Sequence, residues 1–105
     1  MAKKLSLYVQ ELEQSSLTDP LTGLANRRSL EKDGSKVIEI CRRSGVACSC
    51  LVLDLDHFKH VNDTYGHQTG DAALQTVSTI LKNNTRTSDI CARFGGEEFT
   101  ILASS

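Results

Sequence analysis

The stretch from Val46 to Leu53, which runs straight into Asp54, constrains this chain most. It is nearly unbroken by polar residues, whereas a strand with one wet face alternates apolar and polar positions. It therefore predicts a central strand covered on both sides. The run is too short to span a bilayer. The N-terminal residues Met1 to Tyr8 include Lys3 and Lys4 but no apolar stretch of signal-peptide length. A soluble, cytoplasmic protein is expected.

A chain of 105 residues has room for one small domain. A net charge of -1 gives no sign of a nucleic-acid surface or a polybasic membrane patch. The 5% aromatic share, with no Trp, argues against a base-stacking platform. Cys41, Cys48, Cys50 and Cys91 read as small buried residues in a reducing compartment. Zinc bound by these cysteines with His57, His60 and His67 is the sharper alternative, but it lacks any C-x-x-C or H-E-x-x-H spacing.

Around the strand the pattern is helical. Leu5, Val9 and Leu12 recur at helical spacing and predict a helix from Lys3 to Ser16, whose narrow stripe packs on the domain or continues a coiled coil. Pro20 and Gly23 mark a loop. Asn26 is the expected N-cap of a helix reaching Ser44 and ended by Gly45, with Leu30, Val37, Ile38 and Cys41 inward and Gly34 weakening its middle. A short helix follows from His57 to Asn62, then a turn at Gly66. A further amphipathic helix runs from Gln68 to Asn83 on Leu74, Val77 and Leu81. Ile90 to Phe94 and Phe99 to Leu102 predict a hairpin around Gly95-Gly96. This order predicts an α/β or α+β fold with helices on one sheet.

Chemistry concentrates at two places. Asp54 ends the apolar strand, where α/β sheets collect ligands, and Asp56 follows. An EF-hand fails because Phe58 takes a ligand slot and Lys59 the place of the required Gly. Glu97 and Glu98 are adjacent on the tight turn, and two such carboxylates repel unless a cation or water separates them. Asp54 and Glu97 could supply the one or two carboxylates that Mg²⁺ typically takes beside substrate phosphates. No Walker sequence is present, so phosphates are not held by a P-loop. Lys59 is a candidate phosphate contact or an ordinary solvated lysine.

Asp19 to Arg28, Asp54 to Asp63, Gly66-His67 with Gly70-Asp71, and Arg93 to Phe99 together resemble the GGDEF family of diguanylate cyclases, over about residues 17 to 102. The resemblance implies a nucleotidyl-cyclase or palm-like (ferredoxin-like) sheet with flanking helices. It implies residues 1–16 as a linker or signalling helix and 17–105 as the catalytic domain, with the family's C-terminal part missing and an open sheet edge where a strand is lacking. An upstream sensory domain in a longer parent is also expected.

The implied reaction condenses two GTP into cyclic di-GMP with Mg²⁺ or Mn²⁺ across a two-fold homodimer, without nucleic acid or membrane contact. Asp54, the Leu55 carbonyl and Glu97 are the implied metal ligands, with Glu97 as proposed base and Glu98 beside it. Asn62 and Asp71 read guanine, which suits a carboxylate and an amide. The resemblance also implies that Lys59 contacts phosphate and Phe58 borders the substrate, with Asp56 expected to be structural rather than metal-binding. Arg86 and Asp89 match the family's R-x-x-D site, which the resemblance implies binds product and inhibits. The alternatives are a non-catalytic GTP or cyclic di-GMP binding module, a dimerisation domain dominated by its first helix, or a fragment inactive alone.

Overall fold

The computed structural model describes residues 16–105, and the helix expected from Lys3 to Ser16 falls outside these apart from its last residue. Helix α1 (Arg27–Ser44) precedes strand β1 (Cys48–Asp54), helices α2 (Phe58–Tyr65) and α3 (His67–Asn84), and strands β2 (Ile90–Arg93) and β3 (Glu98–Ser104). The strands form one antiparallel sheet in the order β1-β3-β2. The fold is a small α+β domain.

Local chemistry sets the ends of α1. Asn26 is extended, and its side chain accepts the Ser29 N–H at 2.8 Å. Gly45 takes a left-handed conformation, φ 69°, and its N–H bonds the Cys41 carbonyl. The glycine in the helix middle has a packing reason. A methyl group on buried Gly34 would sit 3.3 Å from Leu102 Cδ2, so the bare backbone lets α1 approach β3.

Alternation along β3 separates two layers. Phe99 faces α3, where Phe99 and Leu74, 0% and 1% exposed, form the core with Leu24. Leu53, Phe58, Val77, Leu81 and Cys91 pack around that centre. Ser78 is buried because its hydroxyl returns to the Leu74 carbonyl at 2.7 Å. Thr100 and Leu102 face α1 instead, across an apolar groove of about 340 Å³ that also takes in Leu30, Ile38 and Val52.

β1 departs from its expected central place. β3 is the central strand, and β1 pairs with β3 alone among the described residues. Leu51 and Val52 are 50% and 70% exposed. The composition of the run reports apolar side chains on both faces, but it does not encode which strand lies along the second edge. The same placement corrects two further expectations. Cys48 and Cys50 are exposed rather than buried, while Cys41 is buried, Cys91 is half-buried, and all four are free. Ile38 is more than half exposed because α1 lies over β2 and β3, so among the described residues its flank toward β1 borders the open groove.

The other edge of the sheet is covered. The Ala25 N–H bonds the Cys91 carbonyl at 3.2 Å, and the Arg93 N–H bonds the Ala25 carbonyl at 3.0 Å. The loop before α1 thus adds a short parallel bridge to β2. Among the described residues no helix is long and apolar enough to cross a membrane.

Candidate functional site

The hairpin between β2 and β3 turns back at the end of the sheet where β1 stops. Asp54 and Glu98 are direct cross-strand partners, and the Leu55 N–H bonds the Glu97 carbonyl at 3.2 Å. Directly opposed residues point to one face with Cβ atoms about 4.5–5.5 Å apart, where like charges destabilise the pair. The fold therefore brings Asp54, Leu55, Glu97 and Glu98 to one corner, with Glu98 rather than Glu97 in register with Asp54. Gly95 lies beside Glu98, whose carboxylate is 3.7 Å from where a Cβ on Gly95 would stand, an ordinary contact distance. Among the described residues no group of three or more His, Cys, Asp or Glu is assembled as a metal cluster. A corner with few carboxylates suits a hard cation that completes its shell with water and substrate oxygens.

A half-buried strut fixes the hairpin tip. The Arg93 guanidinium donates to the Gly96 carbonyl at 2.7 and 3.1 Å, and to both carboxylate oxygens of Asp19 at 3.2 and 3.3 Å. Asp19 also accepts the Thr22 N–H at 2.9 Å and the Thr22 hydroxyl at 2.8 Å. Neither partner had a role assigned from sequence. They stand 74 positions apart, so only the fold joins them. Burial pushes the Asp19 carboxyl up, but the Thr22 hydrogen bonds and the Arg93 charge outweigh it and hold the group below its ordinary 3.8.

A depressed folded pKa contributes stability that is complete above 3.8 and is lost as pH falls through the lower folded value. Asp19→Asn is accordingly expected to melt several degrees below the unaltered chain at pH 6, with the gap narrowing toward pH 2. Thermal melts across that range check it, and a constant gap would refute the linkage.

Helix α2 starts directly after the corner. His57, expected to be helical, instead takes φ 59° at the helix entry, a left-handed conformation that is uncommon for a side-chain-bearing residue. Lys59 on the first turn is exposed. Phe58 and Asn62, one turn apart, both approach Gly70 on α3, next to exposed Asp71. Gly66, at φ 91°, makes the bend that folds α3 against α2.

Arg86 and Asp89 lie elsewhere. The Arg86 N–H bonds Asp89 Oδ2 at 2.8 Å, and its guanidinium meets Asp89 Oδ1 at 3.2 Å and the Ser104 carbonyl. The Arg86 N–H, with its guanidinium, keeps the Asp89 carboxyl below the usual carboxylate range. Ser104 pairs with Cys48 at the opposite end of β1 from Asp54. The R-x-x-D turn and the acidic corner therefore occupy opposite ends of the sheet.

Comparison with known proteins agrees with these motifs. The family described as "Diguanylate cyclase, GGDEF domain" matches residues 16–105. The chain is 42% identical over 101 residues to diguanylate cyclase DgcP of Pseudomonas aeruginosa, covering 96% of this chain and 15% of that protein. It is 44% identical over 92 residues to cyclic di-GMP phosphodiesterase NbdA of the same species, covering 88% of this chain and 12% of that protein. The crystal structure of the GGDEF domain of DgcB from Caulobacter crescentus, in complex with c-di-GMP, superposes with a TM-score of 0.83 at 37% identity. That match covers 86% of this chain and 53% of the other. The chain thus spans only a small part of the curated relatives and about half of the solved domain. With the matched residues, the fold and the four motifs in agreement, this chain belongs to the GGDEF-domain family of diguanylate cyclases.

Proposed function

We propose that this chain is catalytic sequence of a diguanylate cyclase, which joins two GTP into cyclic di-GMP as each 3'-hydroxyl attacks the other's α-phosphate and two pyrophosphates leave. One observation carries the proposal. The β1–β3 register sets Asp54 against Glu98, and the Leu55–Glu97 hydrogen bond ties the hairpin tip to the same corner. Opposed carboxylates cost stability in an empty fold and gain a purpose beside a cation and a triphosphate. Asp54, the Leu55 carbonyl and Glu97 would hold Mg²⁺ or Mn²⁺. When bound, such an ion lowers the pKa of the attacking 3'-hydroxyl and offsets charge on the α-phosphate.

The remaining roles belong to the chain. Glu97 accepts the proton of the 3'-hydroxyl, and Glu98 keeps the tip acidic. Lys59 reaches the phosphates from the first turn of α2. Phe58 borders the base, while Asn62 and Asp71 read its edge. The product is two-fold symmetric and one chain offers one nucleotide site, so two chains face each other as a homodimer. Arg86 and Asp89 take product at the far end of the sheet and restrain turnover. A sensory domain upstream in a longer parent and a cytoplasmic location complete the reading.

Incubation with GTP and Mg²⁺ tests it directly, with cyclic di-GMP as the expected product and its absence rejecting activity for this chain. Asn62→Ala and Asp71→Ala are each expected to weaken GTP by roughly tenfold or more while changing ATP little, because a site built to hydrogen-bond a base loses discrimination with its polar partner. Equal losses for both nucleotides, measured by calorimetry, would overturn the guanine assignment.

A second reading is a non-catalytic binding module. The separation of Arg86 and Asp89 from the acidic corner favours it, since product could be held without turnover. Cyclic di-GMP binding that is lost in Arg86→Ala but kept in Glu97→Ala, with no product from GTP, would select it.

A further inference from the structure

Gly70 is buried near the start of α3, where helix propensity alone favours alanine. A Cβ built there would lie 1.7 Å from Asn62 Oδ1 and 2.9 Å from Asn62 Cγ. The difference is about the length of a C=O bond, so the Asn62 carbonyl points straight at the missing side chain. Planar amide geometry then turns Nδ2 away from Gly70. The oxygen is fully enclosed and has no hydrogen-bond partner. Phe58 Cζ lies 3.3 Å from the same point, which narrows the slot from a second side. Backbone hydrogen bonds hold the two helices at this bend: the Gly66 N–H bonds the backbone carbonyl of Asn62 at 2.8 Å, and the Gly70 N–H bonds the Gly66 carbonyl at 3.2 Å.

We infer that Gly70 is a positioning residue for base selection: its absent side chain is the socket that holds the Asn62 amide with its NH₂ group directed at an acceptor on the guanine edge. This inference rests on the assignment of Asn62 to the base. A methyl group at position 70 cannot coexist with the amide in this rotamer, so the amide must swing and its donor leaves the base. Phe58 needs to yield only a few tenths of an ångström.

The test uses the whole chain as Gly70→Ala, Asn62→Ala and the double variant. Fluorescent GTP and ATP analogues are titrated with Mg²⁺, and each variant is melted. Gly70→Ala is expected to reduce the preference for GTP over ATP about tenfold, as far as Asn62→Ala does, with no further loss in the double variant. A merely structural glycine would not move that preference. Gly70→Ala retaining a preference that Asn62→Ala loses overturns the inference and leaves the guanine reading standing, as does a double variant that loses the sum of both. If Gly70→Ala does not fold, the double variant decides: recovered folding shows that the conflict is with Asn62, and continued unfolding overturns the socket. A preference unchanged by Asn62→Ala removes the guanine reading and this inference with it.

Discussion

Phe99→Ala is expected to bring this chain to the edge of unfolding at 25 °C. Phe99 is wholly enclosed, it lies on the central strand, and it meets Leu74 and Leu24 where α3 and the N-terminal loop converge. Truncating a buried Phe costs about 3–5 kcal/mol, from lost burial and the cavity left behind. Domains have about 5–15 kcal/mol in total, and a small one with an exposed edge strand sits at the low end. Urea unfolding followed by circular dichroism measures the loss. Phe99→Leu, which keeps most of the volume, should retain the fold. A midpoint for Phe99→Ala close to that of the unaltered chain would show that the core lies elsewhere.

Glu97→Gln is expected to abolish Mg²⁺-dependent formation of cyclic di-GMP, by roughly a hundredfold or more, with little change in melting temperature. The substitution keeps the shape of the side chain and removes the charge. A metal-assisted phosphoryl transfer loses several kcal/mol when a ligand and base is neutralised. In the same samples the Mg²⁺ dependence of GTP binding should weaken, while binding in EDTA stays as it was. Product formation within a few-fold of the unaltered chain would remove Glu97 from the reaction. Glu98, the residue in register with Asp54, would then be the one to neutralise next.

The parts of this fold legible in the sequence are those written in neighbouring residues. Asn26 and Gly45 bracket α1 because a cap acts within one turn. The spacing of Leu74, Val77 and Leu81 marks the inner face of α3, although only Leu74 is fully enclosed. The acidic corner followed from an aspartate at a strand end and a glycine turn, both local signs. What was hidden depends on distant pairings. No pattern in the apolar run tells that β1 has one neighbour among the described residues, or that Cys48 and Cys50 are exposed there. No spacing joins Arg93 to Asp19. Gly70 reads as an ordinary helix-weakening residue until α2 and α3 are folded together and the Asn62 carbonyl occupies its empty place.

The unequal borders of the sheet limit how copies of this chain can aggregate. Among the described residues Ala25 latches the β2 side while β1 pairs with β3 alone, so the β1 border is the one that presents backbone hydrogen-bonding groups. Two molecules that joined β1 to β1 would form a continuous six-stranded sheet whose outer borders are both latched. Such a pairing is self-complementary, and a self-complementary contact closes at two copies.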